Sequence, residues 1–568
     1  MLGKLLGKKA HRASSLHHET ERSGPVVSAS SAPTNWPHRD ASHLLVSSAE
    51  MAELENQLFA SGLPVEALME KAALAVSRRL LEQYGEELRQ RGALVLVGPG
   101  HNGGDGLVVA RELHLAGVAV RIWSPFERHK PLTERHLQHA RWLGIAQLTD
   151  PPEPSDPALW IDALLGIGQQ RAAGETVESV LEQRQLHQRG RLVAIDVPTG
   201  LCADTGTPFG AGVARACQTY AIGLLKQGLI QDAALAWVGR LERIDLGLPA
   251  RLLDALPSSQ PLALRFEDLD HAPWPQGDPA ASKYQRGRLL VVAGSDAYRG
   301  AAHLTLAGAR ASGCGSVRAA LPPAIASGLW TVFPEVVVQE LACGSDGELD
   351  LAPLDLSQLE RLDTILLGPG LGAGTGAELG PAAGGAEGRI WEQVQAFAGL
   401  LVLDADGLNR LAQANTSANP RGARRWLEGR RGATWITPHP VEFQRLFPDL
   451  MASPPLESAA AAAQHSGATV LLKGARSVVA APDGRRWQLM SAEPRAARAG
   501  LGDVLAGYAA GLGARQLASM GQTPPHLLAL AATAHAEAGH QAARRGDSSP
   551  IAVAQHLQRS EAEQHCRQ

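Results

Sequence analysis

Short apolar runs that end on glycine or aspartate recur along this 568-residue chain, each separated from the next by a helix-length segment. No other feature constrains the fold as much. ALVLVG (93–98), VAVRIW (118–123), LWIDALLG (159–166), RLVAIDVPTG (191–200) and QTYAIGLL (218–225) form a first series. RLLVVAGS (288–295), TILLGPGLG (364–372), LLVLDADGLN (400–409), ATWITPHP (433–440) and TVLLKG (469–474) form a second, closed by a long alanine-rich helical tail. Near-continuous apolar runs mark strands buried on both faces, and their alternation with helices predicts parallel, doubly wound sheets. The two series share no repeat at fixed spacing, so they read as two different α/β domains. A single core rarely grows past about 250–300 residues, which agrees with that division.

The expected organisation is a disordered leader over 1–35, a first domain over 36–250, a junction over 251–282 and a second domain over 283–560. The leader is basic but lacks the apolar run of a secretory signal, and the junction is rich in proline and turn residues. A helical stretch from about Ser47 to Arg89 precedes the first strand. The glycine-rich insertion 372–388 reads as mobile and without a ligand, the alanine run 459–463 as an ordinary helix face. Lys+Arg 53 against Asp+Glu 57 leaves a net charge of −4, which argues against gripping nucleic acid or a membrane surface by bulk charge. Five scattered cysteines without a CxxC pair argue against a disulfide framework or structural zinc, and for a reducing cytoplasm. No run of about 18 apolar residues is present to span a bilayer. Aromatics are only 4%, so no adenine-stacking residue stands out.

Glycine, at 60 residues, is where function is to be sought. VGPGHNGGDG (97–106) lies where a strand meets a helix, so its backbone N–H groups can hold an anion. It contains G-x-G-x-x-G, but no acid follows about 20 positions on to take ribose hydroxyls, so the dinucleotide fingerprint is incomplete. Asn102 and Asp105 lie in the turn, while Asp162 and Asp196 stand at later strand ends, the latter followed by Thr199. Strand ends of a parallel sheet meet at one crevice, which brings these oxygens together as ligands for a hard cation. In the second half, ARAGLGDVLAG (497–507) places Gly500, Gly502 and Asp503 at the start of an apolar helix. That is an anion site with an acid able to serve as a base towards a hydroxyl. LGPGLG, Asp404 and Asp406, and His439 with Glu442 again fall at strand ends.

HNGGDGLVVARELHLAG, DALLGIG and AIDVPTG resemble the three signature loops of the NAD(P)H-hydrate epimerase domain over roughly residues 40–250. The resemblance implies that Asn102, Asp162 and Thr199 help bind K+ and that Asp196 is the catalytic proton-transfer group against the hydrated nicotinamide ring. It also implies substrate contacts from His101, Asn102, Gly103, Gly104 and Asp105, and from Gly166, Ile167, Gly168, Gln169, Gln170 and Arg171. His101 stands where the family usually has a first asparagine. The AGS…GA, GPGLG, DADGLN, TPHPxE, KG and GxGD blocks occur in the order found in the ribokinase-like NAD(P)H-hydrate dehydratase domain, over roughly 256–560. That likeness implies Asp503 as catalytic acid/base and substrate contact. It assigns Lys473, Gly474, Ala475, Arg476, Ser477 and Gly502 to the nucleotide, and Ala301, Gly372 and His439 to the hydrated cofactor. The stretch 493–497 departs from the usual Asn-x-Gly-Met-Ala, with Arg495 or Arg498 available as a replacement positive charge.

Taken together, the resemblances imply an α/β chain with a Rossmann-like first domain and a ribokinase-like second domain that repairs hydrated nicotinamide cofactors. The first domain would interconvert the R and S hydrates. The second would dehydrate the S form with ADP, accompanied by Mg2+, releasing AMP and phosphate; ADP rather than ATP follows the bacterial pattern of the family. A homo-oligomer is expected. The alternative is a small-molecule kinase fused to a non-catalytic binding domain. The TPHPxE and GPGLG blocks count against the kinase, and the retained Asn102, Asp162 and Asp196 against the binding module.

Overall fold

A computed structural model describes residues 36–275, 278–374 and 380–567, with side chains described as far as residue 560. The leader 1–35 and the middle of the glycine-rich insertion lie outside the described residues. The insertion's last residues open a helix, Gly385–Ala396, in place of the mobile segment expected there.

The first series builds a seven-stranded sheet, parallel throughout. From edge to edge its strands are Ala146–Leu148, Val120–Trp123, Ala93–Val97, Leu159–Ala163, Leu192–Ile195, Gln218–Ile222 and Arg240–Ile244. The chain winds outward from Ala93–Val97 and returns to its other side at Leu159, so the switch point lies between those two central strands. Loops at a switch point part in opposite directions and leave a crevice at the carboxyl ends. The helical stretch before the sheet is two helices, Ser48–Ala60 and Val65–Arg91, broken where Gly62 takes a positive φ and Pro64 follows. The Ser47 side chain accepts from the Glu50 amide to start the first of them.

The second series builds a ten-stranded sheet. Its order is Leu262–Leu264, Arg486–Leu489, Val478–Ala480, Thr469–Leu472, Thr434–Ile436, Leu400–Leu403, Thr364–Leu367, Arg288–Val292, Ser316–Leu321 and Val337–Glu340. Only Val478–Ala480 runs antiparallel to its neighbours. The switch point falls between Arg288–Val292 and Thr364–Leu367. The edge strand Leu262–Leu264 lies inside the proline-rich segment between the two series. The Ala263 amide donates to the His43 carbonyl at 2.7 Å, and the Leu45 amide donates to the Pro261 carbonyl at 2.9 Å, which ties that strand to the start of the first half.

The alanine-rich tail is three helices, Leu501–Met520, His526–Arg544 and Pro550–Arg567. The first packs on Arg299–Ala311 through glycines. A Cβ at Gly308 would stand 2.1 Å from the Val504 carbonyl oxygen, so these two backbones touch and no larger residue fits. The alanine run 459–463 lies in the helix Pro455–Ser466, with Ala459, Ala462 and Ala463 buried. Among the described residues no helix is long and apolar enough to cross a membrane.

Candidate active sites

At the first switch point the chain leaves Ala93–Val97 through Gly98, Pro99 and Gly100 and enters the helix His101–Leu115. A Cβ at Gly98 would lie 1.6 Å from the Leu164 carbonyl oxygen, so the two strand-end loops abut backbone to backbone. Beside this contact opens a cleft of about 390 Å³. Of the residues singled out from sequence, His101, Asn102, Asp105, Gly166, Ile167, Gly168, Gln169 and Asp196 line it. Gly103 and Gly104 do not. A Cβ at the first would meet the Gly98 oxygen at 2.0 Å and at the second the Met69 methyl at 2.5 Å, so both serve close packing of the helix. Gln170 and Arg171 are exposed outside the lining.

Asp196 follows the strand Leu192–Ile195 in the left-handed region, with φ 67, where Asp is tolerated better than most residues. Its Oδ1 accepts from Lys226 Nζ at 2.5 Å and from the Ile222 amide at 3.2 Å. Lys226 Nζ also donates to the Ile222 carbonyl at 2.6 Å, and its side chain is 1% exposed, so the ion pair is enclosed. Sequence reasoning missed Lys226. Its signal was a lone charge in the apolar run GLLKQGLI. It also missed Glu55 and Lys130, which line the cleft from other elements. Burial, then the charge of Asp196, raises Glu55 to about 7 despite Lys226. Asp105 is driven well above the usual carboxylate range by burial, then by Asp196 and Glu55.

Asp162 is fully buried. Its Oδ1 accepts from Thr199 Oγ1 at 2.8 Å and from the Leu164 amide at 3.2 Å, and its Oδ2 accepts from the Thr199 amide at 2.8 Å. Burial pushes it up to about 6 against these bonds. Thr199 Oγ1 in turn accepts from the Leu165 amide at 3.1 Å, so the pair anchors the loop that carries Gly166. Asn102 differs: both atoms of its side-chain amide are buried without a partner. Leaving such a group unsatisfied costs about 1–3 kcal/mol, and its amide oxygen suits a hard cation such as K+ in donor chemistry, whereas Asp162 and Thr199 spend oxygens on each other and on the Leu164 and Leu165 amides and are not among the residues lining the cleft.

The second switch point uses the same device. Gly368 has φ 143, and a Cβ there would lie 1.8 Å from the Asp404 carbonyl oxygen. Asp404, 1% exposed, accepts at Oδ1 from Thr437 Oγ1 at 2.7 Å and from Lys473 Nζ. Ala405 beside it holds φ 48, a conformation that costs a non-glycine residue about 1–3 kcal/mol. Gly502 and Asp503 occupy the first turn of Leu501–Met520, and a Cβ at Gly502 would lie 3.1 Å from Lys473 Nζ. Burial, then Asp404, pushes Asp503 up to about 7, although Lys473 pulls the other way. Burial also raises Glu442 to about 7.

The remaining sequence-derived residues have definite places. The Gly372 amide donates to Asp406 Oδ2 at 2.9 Å, and Ala301 abuts Gly370. His439 caps the helix Pro440–Leu446, its Nδ1 accepting from the amides of Val441 at 3.1 Å and Glu442 at 3.4 Å. Ser477 Oγ closes the 473–477 loop on Gly474 at 3.2–3.3 Å. The amides of Ala475 and Arg476 point elsewhere than expected, each donating at 2.8 Å to the carboxylate of Asp232 in the first half. Arg495 pairs with Glu493 at 2.9 Å on the surface.

Two switch-point crevices, each with a lysine on a strand-end aspartate, define a two-site α/β enzyme. The family model described as YjeF-related protein N-terminus matches residues 65–228, and that described as NAD(P)H-hydrate dehydratase matches 289–559. The bifunctional NAD(P)H-hydrate repair enzyme Nnr of Synechocystis is 40% identical over 82% of this chain and 85% of its own length. Those of Gloeobacter violaceus and Escherichia coli are 41% and 33% identical, over 88% and 78% of this chain and 94% and 80% of theirs. The ADP/ATP-dependent NAD(P)H-hydrate dehydratase structure from Bacillus subtilis is 24% identical, with a TM-score of 0.42, over 53% of this chain and 97% of its own. The chain belongs to the family of bifunctional NAD(P)H-hydrate repair enzymes.

Proposed function

We propose that residues 36–250 interconvert the R and S hydrates of NAD(P)H and that residues 283–560 dehydrate the S form to NAD(P)H at the expense of ADP. The observation that carries this reading is the enclosed Asp196–Lys226 pair at the first cleft, in a chain whose second crevice also keeps an acid at a glycine-opened helix start. A cleft that only binds does not call for an enclosed carboxylate–lysine pair.

In the first half, Lys226 fixes Asp196 as an ion-paired base at the cleft, and inversion at C6 of the hydrated ring requires proton transfer there. Asn102, with Asp162 and Thr199, would hold K+, which supplies a fixed positive charge towards an anionic substrate. In the second half, Asp503 takes the proton of the C6 hydroxyl as its oxygen attacks the terminal phosphorus of ADP. The bond from that phosphorus to AMP breaks. The C6–O bond then breaks, the departing phosphate takes the proton from C5, and the ring double bond is restored. Lys473 and the helix start stabilise the phosphoryl charge by position, as such transfers require. Mg2+, bound to the nucleotide's phosphates, would supply charge neutralisation there. The free thiols Cys202, Cys217, Cys314 and Cys343 support a reducing compartment such as the cytoplasm.

The test is a mixture of R and S NADH hydrates with ADP. Full recovery of NADH absorbance is expected. Recovery that stops at the S fraction would remove the epimerase assignment, and none at all would remove the dehydratase assignment.

A further inference from the structure

Five residues separate Lys226, the partner of Asp196 in the first cleft, from Asp232, and this short segment is clamped onto the second half. Gln231 Nε2 donates to Gln488 Oε1 at 2.8 Å, Gln488 Nε2 donates to the Ile230 carbonyl at 3.1 Å, and Arg476 Nη1 donates to the Leu229 carbonyl at 3.1 Å. Asp232 then accepts two successive amides of the 473–477 loop, Ala475 on Oδ2 and Arg476 on Oδ1. Paired amides of a glycine-bearing turn are what a phosphate group binds, and here a carboxylate occupies them. A second observation marks the place as a ligand site. Gln231 is 2% exposed, its Oε1 has no partner, and it lines a cleft of about 100 Å³ with Phe443, Leu472 and Lys473.

We propose that Asp232 is a built-in stand-in for the nucleotide's phosphate, which ADP displaces from the 473–477 loop. Nucleotide occupancy of the second half thereby loosens the segment that holds Lys226 on Asp196 in the first. The inference rests on the reading of 473–477 as the nucleotide loop. Coupling of this kind is reciprocal: a hydrate bound in the first cleft, if it favours the fixed segment, weakens ADP binding by the same factor.

The experiment uses the full chain, with ADP affinity from calorimetry and peptide-resolved hydrogen exchange with and without ADP. Asp232→Ala should bind ADP about tenfold tighter, the order of a charge-assisted contact removed from competition, and Asp232→Asn should fall between it and the unaltered chain. In the unaltered chain ADP should slow exchange over 473–477 and speed it over 226–232; in Asp232→Ala the second effect should vanish. Simple charge repulsion by Asp232 would tighten ADP binding in the variant without any ADP-dependent change over 226–232, and that result overturns the proposal. ADP affinity that is unchanged or weaker in both variants overturns it as well. ADP that binds yet leaves 473–477 unaffected overturns the nucleotide-loop reading itself, a distinct outcome. Should Asp232→Ala fail to fold, the Asn variant and the exchange pattern of the unaltered chain still decide.

Discussion

The two crevices contain the same parts in different places. Each pairs a strand-end carboxylate with a lysine, and each holds one non-glycine residue at positive φ. In the first crevice that residue is the paired acid itself, Asp196. In the second it is Ala405, next to the paired acid, and a separate acid, Asp503, approaches from a helix start with its proton affinity raised to about 7. An acid locked by a buried lysine suits reversible proton exchange, in which the group ends as it began, and Glu55, raised to about 7, lines the same cleft without such a lock. An acid that is not hydrogen-bonded to the lysine and changes charge near neutrality suits a one-way transfer, in which it must take a proton and later release it.

The sharpest way to break this comparison is Asp503→Asn. Removing a positioned acid/base typically costs 10²–10⁴-fold, so ADP-dependent NADH recovery should fall by about a thousandfold while epimerisation of the hydrates continues. Recovery within tenfold of the unaltered chain would show that Asp404 or Glu442 carries the proton. Next in size is Lys226→Met, which strands the Asp196 carboxylate without its cation. Breaking one partner out of a buried pair costs about 3–5 kcal/mol, so a clear fall in Tm should accompany an epimerisation rate lower by about a hundredfold. Adding Asp196→Asn should restore much of the Tm and none of the rate. A double variant no more stable than the single one would mean that Lys226 contributes by packing and not by charge.

Legibility followed the physics of each part. Buried parallel strands have to be apolar runs, and the glycines at 98 and 368 are required because their loops touch the backbone of the next strand end. Both strand-end loops could therefore be read along the chain, whereas the strand order that makes them switch points could not. Ala146–Leu148, Val337–Glu340 and Leu262–Leu264 could not, being edge strands of only three or four residues, the last of them set among prolines. Lys226, Glu55 and Lys130 reach the first cleft from other elements, and no local motif announces a partner brought in by tertiary packing. Asp232 was invisible for a stronger reason: its meaning exists only where the two halves meet.

A smaller effect tests the second crevice through pH. Asp503 can accept the hydroxyl proton only when ionised, and its value of about 7 leaves roughly a tenth of it ionised one unit lower. Dehydratase kcat/KM should therefore rise with pH through neutrality and level above it, losing about tenfold per unit on the acid side. A profile flat from weakly acidic to weakly alkaline pH would place the proton elsewhere.

The smallest expected effect bears on the first crevice. A Cβ at Gly166 would stand 3.2 Å from Asp196 Oδ2, tighter than ordinary contact, and 3.4 Å from the Asn102 Cβ, an ordinary one. The Asp196 carboxylate is therefore the neighbour that has to yield by a few tenths of an ångström. Lys226 and the Ile222 amide both hold its Oδ1, so Oδ2 can turn aside about the held oxygen. Gly166→Ala should then lower kcat for epimerisation about three- to tenfold, with Tm little changed, because the methyl shifts the base without breaking its pair. A rise in KM with kcat unchanged would instead mean that the methyl only narrows the cleft wall, and that the lysine keeps the whole carboxylate in place.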